Sequence, residues 1–413
     1  MAPSILFLAT LMLMLFHPPD FNFHSVDRFA FGLLILVVLL RVCVLRQPLR
    51  FGGPVTWPML AMLLLALYGV VSQPNDAETW SLFAAKWLVP FTLYQLAAYV
   101  FDDARSLRRF ETFSLVVLGY LSLTAIFFMI DAKQFIFPRY ILDESLGYHA
   151  DRARGPFLQA VANGVALNLL GLLALNSFRR KRLRALLALL FLGSLPLAIV
   201  ATKTRAVWLS FALSILGLLF FSSSHRLRRV CLCLVIAGGL GLATAVTFAD
   251  RNASLTERLE ERGPVIFRME IYQAGWEMFL QKPLAGWGAT DMQTELSKRI
   301  SDFHQEQFFF HNTYLEIVVQ YGLVGLVLYL WIVVDLFNLG RRLNRAATFT
   351  LGSFLDEEFR TTLWPLLLGV YLLNASFVVM NYQFVNGLLF TLAGLLAAQN
   401  CRHAETRLVA SAS

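Results

Sequence analysis

Long apolar stretches separated by short polar ones constrain this chain more than any other feature of its sequence. A helix needs roughly 20 apolar residues to cross a bilayer core of about 30 Å, and a helix satisfies its own backbone polar groups inside lipid. The 413 residues are 57% hydrophobic and 15% charged. Because soluble domains are less apolar than this, we predict an all-α, polytopic integral membrane protein.

Twelve apolar stretches have the composition of membrane-spanning helices. They cover residues 3–16, 28–45, 56–72, 79–101, 111–131, 157–177, 184–201, 205–222, 229–248, 314–338, 361–379 and 383–399. The first lacks a basic start and a small-residue cleavage site, so we interpret it as a helix and not as a signal peptide. The predicted divisions are nine spans in 1–248, a large outer loop with two helices in 249–313, and three spans with a cytoplasmic tail in 314–413.

Basic residues mark one side of the predicted membrane. Clusters of them follow every second span: Arg46 and Arg50; Arg105, Arg108 and Arg109; Arg179, Arg180, Lys181, Arg182 and Arg184; Arg226, Arg228 and Arg229; Arg341, Arg342 and Arg345. Such loops stay in the cytoplasm, which places both termini there and the segments 132–156 and 249–313 on the other side. The net charge of +8 comes largely from these loops and indicates no nucleic-acid partner.

The sequence predicts neither a disulfide nor a metal site. Its four cysteines, Cys43, Cys231, Cys233 and Cys401, lie in predicted spans or near the cytoplasmic side. The Cys231/Cys233 spacing does not suit zinc, and no histidine spacing does. We therefore expect no metal and no cofactor.

The outer loop contains a predicted helix with a cation on its apolar side. The helix begins near Pro264, a favourable first-turn residue, and ends at about Leu280. At about 100° per residue, one face is polar (Glu270, Gln273, Glu277, Gln281) and the other apolar (Val265, Tyr272, Trp276, Phe279). Arg268 falls within the apolar face, where an arginine snorkels, pairs with a carboxylate or binds an anionic ligand.

Further cations stand near the predicted outer ends of spans. Arg205 begins a span, where free backbone N–H groups can help to hold an anion; an interfacial anchor is the alternative. Arg152 and Arg154 precede the span at 157–177. Lys86 lies about two turns inside the fourth span, where it either snorkels or lines a polar cleft.

His311 stands where the long polar loop meets the tenth span. It can cap a helix or sit at the interface. A neutral imidazole, with an ordinary pKa of about 6.5, is also a suitable general base at neutral pH. We predict that role for His311.

These positions together carry a resemblance to a known family. The residues that carry it are the run His311-Asn312-Thr313-Tyr314-Leu315 with Tyr321-Gly322, the block Arg268, Trp276, Pro283 and Gly286-Trp287-Gly288, the turn Thr204-Arg205, and Arg154-Gly155. In order and spacing they resemble the O-antigen ligase/polymerase superfamily. The resemblance extends over the twelve-span architecture, although its residue motifs are sparse.

The resemblance implies a GT-C-type glycosyltransferase that uses neither a nucleotide sugar nor a metal. Members take a glycan from undecaprenyl pyrophosphate on the periplasmic face of the bacterial inner membrane. The family's essential histidine matches His311, and its essential arginines match Arg205 and Arg268. We predict that Arg152, Arg154, Lys86, Asn312 and Tyr314 help to bind substrate, and that the active site faces the periplasm within a multi-pass protein surrounded by membrane lipids.

The superfamily has three branches, and the sequence favours the ligase branch. A ligase transfers O-antigen to the lipid A–core acceptor, a polymerase extends O-antigen repeats, and a third branch glycosylates pilin hydroxyls as a protein O-oligosaccharyltransferase. The chain is compact and shows no large extra periplasmic domain, which favours the ligase. The competing class is a transporter of lipid-linked glycan. Transporters usually have repeat symmetry and interrupted helices, whereas the unusual charges here gather beside one outer loop.

Overall fold

The computed structural model describes residues 3–16, 26–46, 53–72, 76–147, 149–183, 185–247, 263–300, 309–341 and 354–412. This part of the chain is helical and contains no strand. The α-helices are α1 (Pro3–Leu15), α2 (Val26–Val44), α3 (Thr56–Val71), α4 (Ala77–Phe83), α5 (Val89–Val100), α6 (Ala104–Met129), α7 (Ala160–Arg179), α8 (Ala185–Ala201), α9 (Arg205–Phe221), α10 (His225–Thr247), α11 (Gly263–Gln281), α12 (Ala289–Arg299), α13 (Thr313–Leu339), α14 (Trp364–Ala375) and α15 (Gln383–Ala412). Two π-helical segments, Ala84–Leu88 and Phe359–Leu363, lead into α5 and α14.

Every predicted span overlaps a described helix or a run of helical segments, although the span at 361–379 extends past the end of α14 at Ala375. By length and composition, three of the described helices can cross a membrane: α6, α7 and α13. Shorter apolar helices accompany them, and many large apolar side chains on the helix surfaces are exposed, such as Leu36, Leu64 and Val327. Large exposed apolar areas mark contact with lipid or protein, so the fold is consistent with a multi-pass membrane protein.

Helix α7 forms the centre of the main core. Its residues from Ala162 to Ser177 are all buried, as expected for a helix surrounded by other helices. Elsewhere small residues let neighbours approach: a Cβ on Gly394 of α15 would lie 2.2 Å from the carbonyl oxygen of Tyr94 on α5. This close contact fixes α15 against α5.

The outer-loop helices α11 and α12 share a second, smaller core with the start of α13. Ile271 and Met278 of α11, Leu296 of α12, and Phe310 and Val319 are each almost fully buried in it. The loop is therefore packed onto α13 by apolar burial, which is the main favourable term in folding. The predicted boundary between residues 248 and 249 lies outside the described residues.

Helix α13 is interrupted at Gly322, whose φ of 66° and ψ of −162° are not helical. The turn Gly286-Trp287-Gly288 joins the helix beside this interruption. The Trp287 N–H donates to the carbonyl of Val319 at 2.9 Å, and the Gly288 N–H donates to the carbonyl of Gln320 at 3.0 Å. The turn thus satisfies carbonyl groups that an interrupted helix leaves without partners.

Only glycine suits two positions at this junction. A Cβ on Gly286 would lie 2.5 Å from the Gln320 carbonyl carbon, and one on Gly322 would lie 2.1 Å from the Leu284 oxygen. Both glycines also have positive φ, which glycine adopts without a steric cost. The Gly-Trp-Gly motif therefore has a structural reason: it joins the outer loop to α13.

Candidate active site

His311 lies on the junction between the outer loop and α13, beneath helix α11. Its backbone is left-handed, with φ +50°, and its side chain is partly buried. The Tyr272 hydroxyl donates to the His311 carbonyl at 3.4 Å. The Phe267 ring meets the imidazole edge-on, with ring centroids 6.4 Å apart. Helix α11 therefore supplies the surface against which the imidazole rests.

The first turn of α13 holds His311 in place. The Asn312 side chain caps the helix by accepting hydrogen bonds from the N–H groups of Tyr314 at 3.0 Å and Leu315 at 3.1 Å. The Thr313 hydroxyl donates to the Val378 carbonyl at 2.8 Å. Asn312, and not His311, is thus the helix cap, a preferred use of asparagine.

Tyr314 also makes a structural contact. Its hydroxyl donates to the Leu372 carbonyl of α14 at 2.9 Å. The Asn312 and Tyr314 side chains, predicted from sequence to bind substrate, therefore use polar atoms to fix the helix that follows His311.

The surroundings of His311 keep its imidazole neutral. Burial, together with the smaller effects of the nearby positive charges of Arg268 and His149, lowers the pKa of His311 to about 4. A group with that pKa is unprotonated at neutral pH, and so it retains the lone pair that a general base requires.

His149 is a member of this cluster that sequence reasoning missed. It lies in the loop between α6 and α7 and is exposed, yet it is close enough to act electrostatically on His311. No motif or helical period in the sequence connects residues 149 and 311. The only available signal was a histidine in a predicted outer loop.

Arg268 projects from α11 toward the same place and is partly buried. Within the described residues, its guanidinium forms no hydrogen bond or ion pair, although its charge acts on His311. A partly buried cation without a carboxylate partner is costly unless an anion binds there. Of the three alternatives left open by the sequence, anion binding suits this arrangement best.

The apolar face predicted for α11 needs a correction. Trp276, predicted to lie there, is 55% exposed, whereas Ile271 and Met278 are fully buried. The packing of α11 against Phe310 and Val319 sets the buried direction, and the helical period alone could not identify that neighbour. Arg268 and Tyr272 consequently lie between the buried side and an exposed apolar strip of Met269, Trp276 and Leu280.

Arg154 holds the loop that carries His149. It is 1% exposed, and its guanidinium donates to the carbonyl groups of Ile141, Asp143 and Leu146. The guanidinium N–H groups of Arg154 therefore form hydrogen bonds with backbone carbonyls of its own loop. Arg152, next to Asp151 with an Nε–Oδ1 distance of 4.0 Å, lies on the same loop.

Arg205 is exposed at the first turn of α9. Thr204 precedes it without a side-chain cap, so the first N–H groups of α9 lack the usual side-chain acceptor. The Ala153 N–H donates to the Ala201 carbonyl at 3.1 Å, which joins the end of α8 to the loop of Arg154. In the described part of the chain, the Arg205 guanidinium has no hydrogen-bond or ion-pair partner, so it is available to an anion.

Lys86 lies in a π-helical segment and pairs with Glu316 of α13. The Nζ–Oε1 distance is 2.6 Å, and the side chains are 12% and 9% exposed. The pair lines a small cavity together with Gln320, Tyr329 and Tyr371. Lys86 thus lines a polar cleft and ties α13 to the segment before α5.

We predict that breaking the Lys86–Glu316 pair destabilises the protein. Lys86→Met should lower the free energy of unfolding by about 3–5 kcal/mol, because it leaves a buried carboxylate without a partner. The double variant Lys86→Met/Glu316→Gln should recover most of that loss. Thermal or denaturant unfolding of the purified protein measures both.

The exposed pair Lys133–Asp131, with a separation of 3.4 Å, provides the matched control. Lys133→Met should leave stability nearly unchanged, because exposed pairs contribute little. Equal effects of the two lysine substitutions would contradict a special role for the buried pair.

Within the described ranges, no group of three or more His, Cys, Asp or Glu side chains is arranged to hold a metal ion. The groups brought together are the neutral imidazole of His311 and the side chains of Arg268 and His149, whose charges act on it. This arrangement allows the positive charge of Arg268 to hold an anion while the His311 imidazole accepts a proton.

Residues 188–330 match the family model described as O-antigen ligase. The match spans about a third of the chain and includes Arg205, Arg268 and His311. Lys86 and Arg154 lie outside it. A comparison with curated proteins gives no match. The family match confirms the predicted resemblance to the O-antigen ligase/polymerase superfamily.

Proposed function

We propose that this protein is an O-antigen ligase of the bacterial inner membrane. It transfers O-antigen polysaccharide from undecaprenyl pyrophosphate to the lipid A–core oligosaccharide at the periplasmic face. The observation that carries the proposal is the neutral imidazole of His311 near the Arg268 guanidinium, which has no ion-pair partner among the described residues. One group can accept a proton while the other holds a phosphate.

The fold of the proposed enzyme follows the sequence prediction. Twelve helices cross the membrane in a GT-C-type arrangement, both termini are cytoplasmic, and the loop with α11 and α12 is periplasmic. The family match over residues 188–330 and the apolar helices support a membrane protein of this kind, and the basic clusters after every second span support the orientation. The exposed apolar strip beside Arg268 suits a donor whose phosphate is attached to a lipid.

Arg268 binds the donor pyrophosphate, and Arg205 assists from the start of α9. A guanidinium offers a planar pair of donors that matches phosphate oxygens. Its positive charge also stabilises the negative charge that develops on the leaving pyrophosphate. Arg154 and Lys86 act indirectly in this proposal, since Arg154 holds its loop and Lys86 anchors α13.

His311 removes the proton from the acceptor hydroxyl. The hydroxyl oxygen attacks the anomeric carbon, a new glycosidic bond forms, and the bond from that carbon to the pyrophosphate oxygen breaks. Undecaprenyl pyrophosphate leaves with the bonding electrons, and the proton remains on His311 until water removes it. A single displacement of this kind inverts the anomeric configuration.

A reconstituted assay tests the function. Purified protein in lipid nanodiscs is mixed with undecaprenyl-pyrophosphate-linked glycan and lipid A–core, without an ion gradient and with a chelator present. We expect glycan-bearing lipid A–core as the product. Loss of transfer that a divalent ion restores would overturn the metal-free mechanism.

The same assay separates the alternatives. Extension of the lipid-linked glycan without transfer to lipid A–core would identify a polymerase. Transfer to a pilin hydroxyl would identify a protein O-oligosaccharyltransferase. Movement of the intact donor across proteoliposomes, without any bond change, would identify a transporter; the interruption of α13 at Gly322 gives this outcome a structural basis.

We predict that transfer falls only at acidic pH. Protonation removes the lone pair of His311, so kcat/KM should be steady near neutrality and fall as the pH approaches the free-enzyme pKa of about 4. Bound pyrophosphate favours the imidazolium, so the acid limb of kcat should lie at higher pH than that of kcat/KM. Initial rates across the pH range measure both limbs.

Arg268→Gln provides a check on this assignment. It removes a positive charge that lowers the pKa of His311, so the acid limb of kcat/KM should move to higher pH. An unchanged limb would mean that another group controls the acid side.

A further inference from the structure

An open groove between α1 and α6 combines arginines with an apolar wall. It has a volume of about 660 Å³, within the range of small-ligand sites. Ile5 and Met12 line it from α1. From α6 come Arg105, Arg108 and Arg109.

The sequence spacing of the groove residues places arginines and apolar side chains on the same face of α6. Arg105, Arg108, Thr112 and Val116 are separated by three or four residues, so they follow one another along the helix surface. Arg109 lies beside them. The groove is therefore cationic at the start of α6 and apolar toward the middle of the helix, an order that matches the headgroup and acyl chain of a lipid.

The arginines stand where helix electrostatics disfavour them. They occupy the first turns of α6, and the N-terminal end of a helix repels cations. Asp103, just before the helix, caps it by accepting from the Ser106 N–H, and Glu111, three residues after Arg108, pairs with Arg180. Arg109 donates to the Ser4 hydroxyl at 2.9 Å. None of the three arginines forms an ion pair within the described residues.

The positive-inside pattern alone does not explain why the three arginines of the groove form no ion pair among the described residues. At another predicted cytoplasmic loop, Arg179 pairs with Asp356 and Arg180 pairs with Glu111. Those arginines satisfy the positive-inside pattern and are neutralised by the protein. Among the described residues, the arginines of the α1/α6 groove form no such ion pair, although Arg109 acts electrostatically on Asp103, and they adjoin apolar surface.

We propose that the α1/α6 groove binds one anionic phospholipid. Its phosphate lies among Arg105, Arg108 and Arg109, and an acyl chain follows Met12 and Val116. Basic pockets between membrane helices on the cytoplasmic side suit such headgroups. The site is independent of the proposed glycan transfer.

Lipid retention measured by native mass spectrometry tests the site. Protein purified in detergent is titrated with phosphatidylglycerol or phosphatidylethanolamine. We expect wild type to retain phosphatidylglycerol preferentially. Arg105→Gln/Arg108→Gln/Arg109→Gln should weaken its binding at least about tenfold, since each arginine near an anionic lipid contributes several-fold.

A second triple variant is the charge-matched control. Arg46, Lys181 and Arg182 are exposed, and replacing all three by Gln removes the same charge while leaving the groove intact. This variant should bind as wild type does. Equal losses in both triple variants, or equal retention of the two lipids by wild type, would overturn the proposal.

Ala9→Trp tests the apolar half of the groove. Ala9 lines it and is exposed, so the larger side chain should exclude the acyl chain and weaken binding while the arginines remain. Unchanged binding would place the lipid elsewhere. If the arginine variants do not fold, the wild-type protein is cross-linked with a photoreactive phosphatidylglycerol. Adducts in α1 and α6 would support the proposed site, and their absence would contradict it.

Discussion

His311→Asn should reduce glycan transfer by about 10²–10⁴-fold, the usual contribution of a general base. Asparagine is the preferred substitution because His311 has a φ of +50°, a conformation that asparagine tolerates better than most residues. Asparagine has no basic nitrogen at neutral pH, so it removes the chemistry while keeping the backbone. The measurement is the initial rate of lipid A–core glycosylation in nanodiscs.

A substitution to alanine gives a less direct answer. Alanine is less suited than asparagine or histidine to a left-handed position, so His311→Ala combines a lost base with a less favourable backbone conformation. His225→Asn, at the start of α10, is the matched control and should retain full activity. Normal transfer by folded His311→Asn would remove His311 from the mechanism.

Arg268→Gln should lower transfer on the order of 100-fold, because one positive group that stabilises developing charge is lost. We expect both a higher KM for the lipid-linked donor and a lower kcat, since Arg268 holds the pyrophosphate before and during bond cleavage. Arg268→Lys should recover part of the loss. Lysine restores the charge without the planar pair of donors.

The control for Arg268 lies on the neighbouring outer helix. Lys298 of α12 is exposed and pairs with Glu295 at 3.6 Å, so Lys298→Gln removes a charge from the same loop away from His311. Its kinetics should match wild type. A rise in acceptor KM alone for Arg268→Gln would contradict donor binding and place Arg268 on the acceptor side.

The helices and the three proposed catalytic residues were available from the sequence. Apolar stretches of spanning length form helices wherever the chain must satisfy its backbone polar groups internally, and the described helices occupy the predicted stretches. Pro264 likewise indicated the start of α11. Local composition and period determined these features because each depends on residues close together in the chain.

Tertiary packing decided which residues distant in the sequence contact one another. Lys86 and Glu316 are 230 residues apart, and no local pattern pairs them. Packing against Phe310 turned Trp276 outward, although the helical period placed it with Tyr272. Likewise, the donors of Arg154 reach carbonyls that become available only when its loop folds back.

The sequence by itself thus determined a helical protein with the composition of a membrane protein, and it predicts His311, Arg205 and Arg268 at the outer face. The tertiary structure decided the protonation state of His311 and which charged groups surround it. Burial beside Arg268 and His149 keeps His311 neutral, because desolvation and neighbouring positive charge disfavour the imidazolium. Burial and nearby charge exist only once α11, α13 and the loop of His149 have packed together.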